Sequence, residues 1–135
     1  MTETEKLIGL LERATGPDRE LDDLLAVRVA GMKATTTYGH ECLGNVREAP
    51  NHSPRYTASL DAALALVERV KPGWKWERQW ELGGEFIRLL APDYHRWTFK
   101  GALNRSATGW QSCEPGDAIA LCLALLYALE TSHDQ

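Results

Sequence analysis

Cysteine is scarce and unpaired in this chain: Cys42, Cys113 and Cys122 are the 3 cysteines among 135 residues, and they stand far apart. An odd count without close pairs makes neither a disulfide scaffold nor a CxxC motif, and it suits a reducing compartment. Long apolar runs are also missing. The longest, Ile119–Leu129, is too short to span a bilayer. The first residues carry no signal-peptide pattern, so a cytoplasmic protein without a membrane partner is expected. Positive charge is the minority sign, 15 Lys and Arg against 19 Asp and Glu for a net charge of −4. That balance argues against a dedicated nucleic-acid binder, whose affinity rests on clustered cations. No P-loop, GxGxxG or GxSxG occurs. No cofactor is expected.

What the chain has in quantity is tryptophan, 5 against 4 Tyr and 2 Phe. Its charge is uneven as well. In residues 1–25, Glu3, Glu5, Glu12, Asp18, Glu20, Asp22 and Asp23 outweigh Lys6, Arg13 and Arg19, whereas residues 47–105 carry more bases than acids. Any anionic ligand would prefer the second, Trp-rich stretch. The length suits a single domain over 1–135, able to bury a core without disulfide or metal.

The periodicity divides the chain clearly. A helical hairpin spans 3–31, with Leu7, Leu10 and Leu11 on the first stripe and Leu21, Leu24, Leu25 and Val29 on the second. Thr15-Gly16-Pro17 separates the two, Pro17 suiting a first helical position and Gly31 a terminator. Residues 32–55 show no period and hold many turn formers, so an irregular loop is expected there. A third helix covers 57–71, capped by Thr57 or Ser59, with Leu60, Ala63, Leu64, Leu66, Val67 and Val70 on its buried side. Residues 74–103 read as a three-stranded antiparallel meander. Gly83-Gly84 makes its first turn and Pro92-Asp93 its second, and His95, Trp97 and Phe99 line one face of its third strand. After a loop over 104–112, a final helix at 115–131 is apolar almost all round. It is therefore either sandwiched between sheet and helix or partly buried in a homo-oligomer interface. The order α-α-loop-α-β-β-β-α, without βαβ alternation, defines an α+β fold.

One strand stands out. Trp74, Trp76, Arg78, Trp80 and Leu82 alternate with Lys75, Glu77, Gln79 and Glu81, and alternation by two sends each set to its own face. Three indoles and an arginine thus share a face. The plainer reading packs these indoles under the third and last helices, with Arg78 reaching the rim. The functional reading makes the face a site, in which Arg78 with Arg88, Arg96 or Lys100 pairs with a phosphate while a tryptophan stacks on a base. Tyr38, His40, His52 and Arg55 are loop candidates for the same role.

The segment Tyr56-Thr57-Ala58-Ser59-Leu60-Asp61-Ala62-Ala63-Leu64, followed by Pro72-Gly73-Trp74, resembles phage ABA-sandwich domain proteins. The opening stretch from Leu7 to Asp22 and the closing Pro115, Ala118, Ala120, Leu121, Cys122 and Ala124 resemble the same family. These pieces cover about half the chain in the same order. The resemblance implies a bacteriophage or prophage origin, a location in the host cytoplasm and an α-β-α layered fold. It implies no activity. Residues 32–55 and 101–113 depart from the family's short connections, so activity peculiar to this chain is expected there.

Conventional chemistry finds little support. His40, Cys42, His52 and His95 lack the close pairing of zinc ligands, and no metal is expected. Cys42 with His40, or Cys113 with His95, makes a nucleophilic pair only on paper. Glu77, Glu81 and Glu85 sit at strand spacing without the burial that paired acid–base carboxylates need. The expectation is a non-catalytic phage accessory protein that binds a host or phage protein, counter-defence being one case. The alternative is a small-molecule or nucleotide binder, a sponge for a signalling nucleotide, using the aromatic and Arg surface.

Overall fold

A computed structural model describes residues 2–33, 36–38, 47–49, 53–81, 83–94 and 107–133, with main chain alone at 36–38, 47–49 and 131–133. Helix starts are specified locally. Thr2 caps α1 (Glu3–Arg13), its hydroxyl accepting from the Glu5 N–H at 3.1 Å. Asp18 caps α2 (Arg19–Arg28), accepting from the N–H groups of Glu20 and Leu21. Pro17 therefore precedes the cap instead of opening the helix. Each cap satisfies donors that lack an intrahelical partner. Gly31, at φ +75, closes α2, with the Ala30 and Met32 N–H groups donating back to Leu25 and Ala26 carbonyls.

The stretch expected to be irregular holds two short strands, β1 (Thr36–Tyr38) and β2 (Arg47–Ala49), paired antiparallel with Thr36 opposite Ala49. Threonines at 35–37 favour extended backbone, but three residues are too few for alternation to show. Ser59 caps α3 (Leu60–Val70) through the Ala62 N–H. Thr57 is committed elsewhere. Its hydroxyl accepts from the Asp18 N–H at 2.8 Å and meets Asp22 Oδ1 at 2.8 Å, while its own N–H donates to the same Asp22 oxygen at 2.7 Å. Arg19 spans Asp22 and the Ser53 carbonyl at 2.8 and 3.0 Å, and the Ser53 hydroxyl donates to Asp23. This buried network ties the start of α2 to the segment entering α3, and burial without such partners would be costly.

The main sheet has the order β3 (Lys75–Glu81), β4 (Gly84–Leu90), β5 (Gln111–Ser112), all antiparallel. Gly84, at φ +126, sits opposite Glu81 where the first hairpin closes. Its third described strand lies at 111–112, in a stretch the residue pattern reads as loop. Residues 95–100, where the pattern puts a strand, lie outside the described residues. Architecture and element order are those of an α+β fold.

The final helix, α4 (Asp117–His133), is the middle of the molecule. Ala118 to Leu126 and Ala128 are all buried, packed against α1, α3 and β4. The sandwiched option for this helix is the observed one. Its apolar girth is used within the chain, which removes the reason for a homo-oligomer built on it. α4 lies between the sheet and α1, while α3 packs on α4 and borders the β3 side of the sheet.

Candidate functional site

The site is built on β3, and its exposure follows from where α4 lies. Register places Trp76 opposite Leu89, Arg78 opposite Ile87 and Trp80 opposite Glu85, on the face of the sheet that meets the helices. Ile87 and Leu89 are fully buried under α4, while Trp76 is 37% exposed and Trp80 73%. A helix about 10 Å across covers roughly two strands spaced about 4.8 Å apart. Here it covers β4 and touches β5, leaving β3 outside. The plainer expectation of indoles packed as core is therefore corrected for Trp76 and Trp80. Trp74 alone packs against the core cluster, with Lys71 Nζ 5.5 Å from its ring centroid.

Two hollows flank Arg78 along this face. One, of about 430 Å³, lies between α3 and β3 and is lined by Leu64, Val67, Trp74, Trp76 and Leu89, with Glu68 at its side. The other, of about 510 Å³, is lined by Arg78, Trp80, Glu85, Cys113 and Asp117. Arg78 holds the ground between them. Its Nε lies 3.3 Å from Glu85 Oε2, its Nη2 pairs with Asp117 at the start of α4, and its guanidinium sits 5.7 Å from the Trp76 ring. The Asp117 hydrogen bond and the two carboxylate charges push its pKa up against a desolvation that works the other way. Arg78 is thus already balanced by two anions, which weakens it as a phosphate ligand.

Arg88 does not join Arg78. As the neighbour of Ile87 and Leu89 it points to the opposite face of the sheet. There it lies 4.4 Å from the Trp110 ring and 5.4 Å from the Tyr94 ring, with Nη2 at 3.1 Å from the Tyr94 hydroxyl and 3.5 Å from Glu77 Oε2. Neither Tyr94 nor Trp110 stands out in the sequence; only the pairing of β5 with β4 brings Trp110 alongside. Arg96, Lys100, His40 and His52 lie outside the described residues, as do Cys42 and His95. Tyr38 is described only as backbone in β1. Arg55 is exposed in the turn before α3, where its carbonyl accepts from Ala58 and Ser59.

Among the described residues, the grouping of metal-ligand types is Glu85, Cys113 and Asp117, whose ligand atoms lie within 4.8 Å of one another. The Arg78 guanidinium stands between the two carboxylates, where a cation would have to displace it. Burial and the Asp117 charge push the Cys113 thiol up to about 11, and burial pushes Cys122 up to about 12. Both are overwhelmingly protonated at neutral pH, hence weak nucleophiles. Sequence reasoning missed Glu85, Cys113 and Asp117 as neighbours of Arg78, because they come from separate elements.

Among the described residues no helix is long and apolar enough to cross a membrane. No family model, curated protein or solved structure matches this chain.

Proposed function

We propose that this chain is a non-catalytic phage accessory protein, working in the cytoplasm of a bacterial host by binding a host or phage protein, with counter-defence as one case. The observation that carries the binding reading is the pair of exposed tryptophans, Trp76 and Trp80, on either side of a charge-balanced Arg78. Tryptophan and arginine are the residues most enriched among those that dominate protein–protein affinity, and an indole at a surface offers large area at low entropic cost. The two hollows beside Arg78 give a partner's side chains somewhere to seat. The phage setting rests on the resemblance of residues 7–22, 56–74 and 115–124 alone.

The test is capture from a bacterial lysate, followed by purification of the captured protein and measurement of its affinity for the wild-type chain and for Trp80→Ala. Loss of affinity on the variant, with its melting temperature unchanged, supports the reading. Equal affinity places the partner elsewhere. A thermal-shift screen against nucleotides and cyclic dinucleotides should stay flat. A rise that Arg78→Ala abolishes would turn the reading to the nucleotide-binding alternative.

A further inference from the structure

A sheet edge with a long run of exposed large side chains invites another strand, and proteins normally blunt such edges. β3 pairs with β4 on one edge, and no described strand runs along its second edge over seven residues, Lys75–Glu81. What could cover it is written in its own sequence. Around Arg78 the strand is self-complementary: Trp76 mirrors Trp80, Lys75 mirrors Glu81 with opposite charge, and Glu77 mirrors Gln79.

We infer that β3 pairs antiparallel with β3 of a second copy of this chain, about a two-fold axis through Arg78. In that register Lys75 of each copy faces Glu81 of the other, Trp76 faces Trp80, and Glu77 faces Gln79. Directly opposite residues of an antiparallel pair share a face, so both Trp pairs lie on the helix side and both Lys–Glu pairs on the other. Arg78 meets Arg78 on the axis. Each guanidinium is already held by its own Glu85 and Asp117, so the approach is not one of bare cations. Neighbouring registers are worse. A shift of two residues sets Glu77 against Glu77 in one direction and against Glu81 in the other, and a shift of one breaks the match of faces. A two-fold contact is the commonest way for a chain to satisfy its own surface. The product is a continuous six-stranded sheet, with the main chain of β3 used for pairing. The contact uses the same two indoles as the partner reading, but the variants at Lys75 and Glu81 leave both indoles in place, so the two readings fail separately.

Sedimentation equilibrium over a concentration series tests it. The wild type should reach twice the 15.1 kDa chain mass. Lys75→Glu sets two glutamate pairs across the axis and should raise the dimer dissociation constant on the order of tenfold. Adding Glu81→Lys to it restores opposite charges and should restore the dimer. Lys75 and Glu81 are exposed, so both variants should keep the wild-type circular dichroism. A wild type that stays monomeric at every concentration overturns the inference. So does a dimer that Lys75→Glu leaves intact, or one that the double swap fails to rescue.

Discussion

Two segments of this chain are loaded with large apolar side chains, and they meet opposite fates. In α4 everything from Ala118 to Leu126 is withdrawn from water, whereas in β3 Trp76 and Trp80 remain exposed. Side-chain type does not explain the difference, since tryptophan buries more apolar area than any residue of α4. Position does. The helix lies between sheet and helices and is covered all round, whereas β3 is the strand its width does not reach. The comparison teaches that the same hydrophobic chemistry serves as cement in a middle layer and as a surface at an edge.

If that contrast is right, truncations should divide sharply. Leu125→Ala, in the fully buried middle of α4, should cost about 2–5 kcal/mol in urea denaturation, the range for a core cavity. Asp22→Ala should come next, at about 1–3 kcal/mol by the same measurement, because it strands the buried Thr57 N–H and removes the carboxylate that Arg19 pairs with. Alkaline pH gives a third handle on the buried side. The Cys122 thiol is raised from 9.0 to about 12 in the fold, so the unfolded chain gives up its proton first. Stability is then unaffected below about pH 9 and falls as pH climbs toward 12. Tyr56 and Tyr127, also raised by burial, push the same way. The thermal midpoint should therefore decline over that window, less steeply in Cys122→Ala. On the edge side, Arg78→Ala should cost under about 1 kcal/mol, since its ion pairs are partly exposed and screened. Trp80→Ala should shift the folding stability of the dilute monomer by no more than about 0.5 kcal/mol. A large loss at Trp80 would break the comparison, because it would make the edge indole part of the core after all.

Much of the architecture was legible before any coordinates. Stripes such as Leu7–Leu11 and Leu21–Leu25 mark helices at a period of 3.6, and Ser59 is one of the two cap residues expected for α3, whereas the cap of α2 falls on Asp18, one residue after the Pro17 expected to open it. The alternation after Trp74 and the glycine pair 83–84 mark the hairpin. The two- and three-residue strands were not legible. Periodicity needs several residues of pattern, and β1, β2 and β5 are too short to show it, being defined by the partners they pair with. The surroundings of the candidate site were hidden for the same reason. Arg78 and its indoles show in the sequence as one face, but Glu85, Cys113 and Asp117 reach that face from two other parts of the chain.

Sequence by itself determined where the helices and the long β3–β4 hairpin fall, and that Trp74, Trp76, Arg78 and Trp80 point the same way, because those properties depend on neighbours along the chain. Only the tertiary structure decided which apolar face is core and which is surface. It also decided that Arg78 and Arg88 serve opposite faces, with separate partners. Burial and charge pairing are set by what lies across space, and a single helix laid over β4 leaves β3 open to solvent.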